Sequence, residues 1–156
     1  MPTFKDTAMN TIRKINDDFA IAGQITPEQL QQIAQEGFKS VLNLRSPDEA
    51  GVLINEQQQV EALGLYYINI PIKVETITIE IAAQVLKKID EISKPALVHC
   101  NNAMRSAAMV LMHIATQQGV SLSQAFKQAE QLGLFGRITQ KENWGFVKVC
   151  HNFCES

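Results

Sequence analysis

The chain has 156 residues, 46% of them hydrophobic, which is enough for one domain with a real core. Its 14 Lys and Arg stand against 16 Asp and Glu, a net charge of -2 with no blocks of one sign, which excludes the electrostatic footprint of a nucleic-acid or anionic-membrane binder. No apolar run is long enough to span a bilayer. Phe19 to Ile25, "FAIAGQI", reads as a short buried run ending in a Gly turn. In "TPEQLQQIAQEGF", Thr26 is the expected N-cap, Pro27 the first helical residue, and Gly37 the stop. "SVLNLR" (40–45) is a strand candidate closed by the breaker-rich "SPDEAG". "INEQQQVEALGL" reads as a polar helix, and "LYYINIPI" (65–72) as a strand ended by Pro71.

Further on, Ile81, Val85, Ile89 and Ile92 recur at helical spacing in "ETITIEIAAQVLKKIDEIS", although its first part, "TITIEI", alternates like a strand. "PALVHC" is a buried strand running into "NNAM". From Arg105 a strongly apolar helix extends to Gly119, with further helices expected over 121–132 and about 139–153. Strands alternating with helices imply an α/β sandwich with a mostly parallel central sheet flanked by helices, and a single domain over residues 1–156. Ligands of such sheets bind beyond the carboxyl ends of the strands, which directs attention to the turn after "ALVHC".

A strand that ends at Cys100, turns within four residues and launches a helix aims its backbone N–H groups into one concavity, to which the helix N-terminus adds positive potential. Anions are attracted there. The same field, with Arg105 nearby, favours a thiolate and makes Cys100 a nucleophile near neutral pH. Arg105 can offer two parallel N–H bonds to a tetrahedral oxyanion, and Ser106 can donate a hydrogen bond that eases the departure of the sulfur. A strand-end cysteine is often just a small hydrophobe, and a first-turn arginine often just solvated. The ordered succession of strand, short turn, Cys, Arg, Ser and apolar helix is what raises the functional reading.

"VHC", a short loop and "RS" opening a helix resemble the active-site signature of the cysteine-based, dual-specificity-type phosphatases. Upstream, "IAGQITPEQLQQIAQEGFKSVLNLRSPDE" and "LGLYYINIPI" are similar to the bacterial branch that forms the phosphatase-like domain of beta-lactamase-hydrolase-like proteins. The resemblance spans about residues 17 to 135. It implies a cysteine-phosphatase-like sandwich and hydrolysis of phosphomonoesters through a phosphocysteine on Cys100. Arg105 and the loop Asn101, Asn102, Ala103 and Met104 would hold the phosphoryl group, and Ser106 would assist catalysis. His99 would organise the loop by hydrogen bonding, or is a satisfied core histidine, while Arg45 and Glu49 in "NLRSPDE" would hold the loops around the pocket, or form a surface ion pair.

The chain departs from the family pattern at three points. Ordinary dual-specificity phosphatases have one more residue between Cys and Arg; the bacterial branch shares the shorter loop, as do rhodanese-type sulfurtransferases. Where the branch carries a small hydroxyl residue and then Gly, this chain has Asn102 and Ala103, and a positive φ at Ala103 would cost about 1 kcal/mol. Where ordinary members carry a general-acid Asp, this chain has "KVE", with Lys73 in the region and Glu75 as the only nearby carboxylate that could substitute. Three chemistries therefore stay open: a phosphatase, a sulfurtransferase with a persulfide on Cys100, and an anion-binding module impaired in turnover. In each the partner is a phosphorylated molecule or an oxyanion, with no nucleic acid and no membrane.

His113 reads as packing or a cap, and Trp144 as pocket lining or core. Cys100, Cys150 and Cys154 cannot all pair within one chain. Cys150, His151 and Cys154 are a poor zinc set without a fourth ligand, so no metal and no cofactor are expected. Thiols of this kind suit a reducing compartment, hence a cytoplasmic location, or export if a signal peptide precedes the first residue.

Overall fold

The computed structural model describes residues 12–134. Ten elements follow one another: β1 (Arg13–Lys14), β2 (Phe19–Ala22), α1 (Pro27–Gln35), β3 (Ser40–Asn43), α2 (Glu56–Ala62), β4 (Tyr66–Asn69), α3 (Ile79–Glu91), β5 (Ala96–His99), α4 (Met104–Gln117) and α5 (Leu122–Gln131). They build a five-stranded sheet in the order β1-β2-β5-β3-β4. β2, β5, β3 and β4 run parallel, and β1 is an antiparallel edge.

The central strands are buried on both faces, as parallel strands with helical crossovers must be. Side-chain alternation divides them between two cores. Phe19, Ile21, Leu42, Ala96 and Val98 pack with α3, α4 and α5. Ala20, Ala22, Val41 and Leu97 pack on the other side with Leu30 and Ile33 of α1 and Val60 of α2. Full burial of a Leu or Ile of this kind contributes about 1.5–3 kcal/mol. Because β5 is the middle strand, its carboxyl end opens at the centre of the sheet edge.

Local signals fix most element ends. Thr26 Oγ1 accepts the Gln29 N–H at 3.1 Å while Gln29 Oε1 accepts the Thr26 N–H at 3.0 Å, a reciprocal cap with Pro27 at the first helical position. The ambiguous "TITIEI" is settled by Thr78, whose Oγ1 accepts the Ile81 N–H at 3.2 Å. The helix therefore starts at Ile79, with no strand before it, and Ile92 serves as its C-cap. α2 begins at Glu56 and not at Ile54, since Asn55 takes a left-handed conformation and leaves Ile54 exposed. β1 had no sequence signal: two exposed residues pair with Ile21 and Ala20 through tertiary context alone. The helix expected over 139–153, with Trp144, Cys150, His151 and Cys154, lies outside the described residues. Among those described, no helix is long and apolar enough to cross a membrane, and no cluster of three or more His, Cys, Asp or Glu could hold a metal.

Candidate active site

Cys100 directly follows β5, fully buried, and its N–H donates to Ala22 O of β2 at 3.1 Å. The following loop is fastened to the end of β2, where Gln24 N–H donates to Asn101 O at 3.4 Å and a Cβ on Gly23 would come within 2.8 Å of that same oxygen. Only glycine allows this approach. The loop then turns through Ala103, at φ 74° and ψ -4°, into α4. The positive φ conditionally expected at Ala103 is therefore present, in a region that L-residues with a Cβ avoid.

The first turn of α4 points at the sulfur. Ser106 N–H donates to Cys100 Sγ at 3.4 Å, and Ser106 Oγ lies 3.6 Å from Sγ and 3.1 Å from Ala103 O. Met104 N–H is capped by Asn102 Oδ1 at 3.1 Å.

Arg105 is buried. Its two terminal nitrogens grip Glu49, Nη1 to Oε2 at 2.9 Å and Nη2 to Oε1 at 3.0 Å. Nη1 also donates to Ile72 O at 2.7 Å, and Nη2 to Asn101 Oδ1 at 3.1 Å. Glu49 further accepts Arg45 Nε–H at 3.0 Å and Ser46 N–H at 2.8 Å. These donors, Arg105 foremost, overcome burial and hold the Glu49 carboxyl at about 2, well below its ordinary 4.5. Reciprocally, the hydrogen bonds to Glu49 outweigh burial and push Arg105 above its ordinary value. The "R…E" of "NLRSPDE" thus joins buried Arg45 to a partly buried Glu49 that clamps the loop arginine.

Three participants escaped the sequence reading. Glu56 is buried, with Oε2 2.5 Å from His99 Nε2, and His99 Nδ1 lies 3.5 Å from Cys100 O. Nothing in a run of Glu and Gln along "INEQQQ" singles it out. Gln24 bridges Glu56 Oε1 at 3.4 Å and Arg45 Nη1 at 2.7 Å, closing a polar chain from His99 through Glu56, Gln24, Arg45 and Glu49 to Arg105. Its position just past the end of β2 was the available signal. Asp48 is the third. It lines the mouth of the cavity together with Glu75, 3.8 Å from Lys73, so Glu75 is not the only carboxylate there. His113 is a packing residue on α4, edge-on to Phe19 with Nε2 3.4 Å from Asp90.

A cavity of about 400 Å³ opens here, lined by Asp48, Glu49, Lys73, Glu75, Asn101, Asn102, Met104 and Arg105 among others; the Cys100 sulfur does not reach its wall. Strand end, tight turn and clamped arginine stand together at the carboxyl edge of a parallel sheet.

The model of the beta-lactamase hydrolase-like protein, phosphatase-like domain, matches residues 11–119. The chain belongs to this family. A beta-lactamase hydrolase-like protein of Agrobacterium fabrum is 31% identical over 103 residues, which are 64% of this chain and 24% of that protein. The chain thus spans about a quarter of the length of the curated relative it matches. Among solved structures, a candidate phosphatase (DUF442) of Shewanella putrefaciens CN-32 superposes with a TM-score of 0.68 at 18% identity, covering 94% of this chain and 95% of that one. A Cys-to-Ser variant of TpbA from P. aeruginosa, in complex with pTyr, superposes with a TM-score of 0.62 at 14% identity over 99% and 96% of the two chains. At these identities the structural likeness establishes the fold, a cysteine-phosphatase-like sandwich.

Proposed function

We propose that this chain hydrolyses phosphomonoesters through a phosphocysteine on Cys100. The observation that carries the reading is the Cys100–Ser106 turn: a strand-end sulfur that accepts a first-turn N–H of α4 at 3.4 Å, with a buried, Glu49-clamped Arg105 in the same turn. Cys100 Sγ attacks phosphorus, and the S–P bond forms as the bond to the ester oxygen breaks. Arg105 and the N-terminal amides of α4 stabilise the added charge on the phosphoryl oxygens. A proton from Glu75, Asp48 or water reaches the departing oxygen. Water then attacks phosphorus, the S–P bond breaks, inorganic phosphate leaves, and Ser106 donates to the sulfur that regains the electron pair.

His99, Arg45 and Glu49 are positioning residues in this scheme. Glu56 and Gln24 extend the same polar chain. Every described strand belongs to one sheet, which supports reading residues 1–156 as a single phosphatase-like domain. The substrate is a phosphorylated molecule or, for binding alone, an oxyanion.

Parallel assays test the reading: release of phosphate from an aryl phosphate, and formation of thiocyanate from thiosulfate and cyanide. Phosphate release that disappears in Cys100→Ser, with no thiocyanate, is the expected result. Thiocyanate without phosphate would replace the reading by sulfur transfer.

A further inference from the structure

Arg105 has four hydrogens on its two terminal nitrogens, and all four have acceptors: the two Glu49 oxygens, Ile72 O, and Asn101 Oδ1, with Leu44 O a longer fifth at 3.5 Å from Nη1. An oxyanion that takes two parallel guanidinium bonds needs at least one of them. Glu49 is a charged, two-point partner, and Ile72 O is main chain at 2.7 Å. Asn101 Oδ1, neutral, at 3.1 Å and on an exposed residue, is the acceptor that can yield. The next residue repeats the arrangement. Met104 N–H, the first amide of α4 and one of those a bound anion would take, is held by Oδ1 of exposed Asn102 at 3.1 Å. Both asparagines line the cavity while Cys100 is fully buried and absent from its wall.

We propose that the Asn101 and Asn102 side-chain oxygens are internal stand-ins for two oxygens of the bound oxyanion. The loop is self-capped, and substrate enters by exchanging these two oxygens for its own. The inference rests on the phosphatase reading and deepens it, because it makes anion affinity a difference between two sets of bonds to the same donors. The stand-ins keep the donors of the empty site satisfied, which avoids the cost of orphaned buried groups, and they weaken anion binding by as much.

The test is tungstate binding by isothermal titration to the whole chain carrying Cys100→Ser, which removes covalent chemistry. Asn101→Ala and Asn102→Ala should each bind tungstate about fivefold more tightly than this parent, and the double variant roughly twentyfold, one net hydrogen bond apiece. Asn101→Leu, which keeps the shape without the amide, should match Asn101→Ala and guards against a variant that fails to fold. In the chain with its native cysteine, Asn101→Ala should also speed iodoacetamide labelling of Cys100, followed by peptide mass spectrometry. Unchanged or weaker binding in the variants, with the parent binding tungstate, would overturn the inference and leave the phosphatase reading standing, since the asparagines would then be bystanders or donors to the anion. No binding by the parent would overturn both.

Discussion

Replacing Glu49 by Gln keeps the shape of the side chain and removes its charge, which makes it a sharp probe of the clamp. The carboxylate accepts four bonds of 2.8 to 3.0 Å, two from Arg105, one from Arg45 and one from the Ser46 amide. Both arginines are buried, 4% and 7% exposed, so losing their counter-charge leaves two guanidinium groups poorly paired, and the amide turns a donor toward one of them. Glu49 keeps 22% of its side chain exposed, so solvent screens part of the loss and the cost falls below that of a fully buried pair, to about 2–3 kcal/mol. For a chain of this size that corresponds to a fall in Tm of roughly 5–10 °C. Thermal unfolding followed by circular dichroism at pH 7 reads it directly. The pH dependence has a definite sign. The Glu49 pKa is depressed in the folded chain, so its contribution is complete above the ordinary value of 4.5 and is lost as pH falls toward about 2. The gap between wild type and Glu49→Gln should therefore be full at pH 7 and narrow between pH 4.5 and 2. A variant that melts within a degree or so of wild type at pH 7, or a gap that widens on acidification, would refute the clamp.

Three further outcomes are expected. Ala103→Gly should stabilise the chain by about 1 kcal/mol in urea unfolding, because a φ of 74° strains any residue with a Cβ and glycine takes it freely; a loss of stability would contradict the turn. Arg105→Lys should lower kcat/KM on an aryl phosphate by about a hundredfold or more, since an ammonium cannot reproduce the two-point contact with Glu49 while also serving the phosphoryl group. The mouth carboxylates should matter only for poor leaving groups. Glu75→Gln or Asp48→Asn should leave an aryl phosphate nearly untouched, and whichever is the acid should slow an alkyl phosphate by about a hundredfold or more, read as initial rates on the two esters.

The parts of this molecule that rest on local rules could be read from the sequence. Thr26 and Pro27 announce α1, Gly37 ends it, and short apolar runs between helices name the sheet, because caps, proline and apolar patterning act within a few residues. The Cys100–Arg105 turn was legible for the same reason, as a strand end meeting a helix start. What stayed hidden depends on residues brought together from afar. Glu56 meets His99 from 43 positions away, and no feature of "NEQQQ" separates it from its solvated neighbours. That Glu49, 56 positions upstream, grips the Arg105 fork follows from β3 lying beside β5. Asp48 was overlooked beside Glu49 because only the folded loop turns it to the cavity where Lys73 and Glu75 stand.

The central claim is that phosphate passes through Cys100, and rapid acid quench of the chain during turnover of an aryl phosphate, followed by intact-mass and peptide mass spectrometry, tests it most directly. The account predicts a fraction of the protein carrying one added phosphoryl group, located on the peptide that contains Cys100 and absent from Cys100→Ser. Sustained phosphate release with the peptide unmodified, or with the serine variant turning over at the wild-type rate, would contradict it.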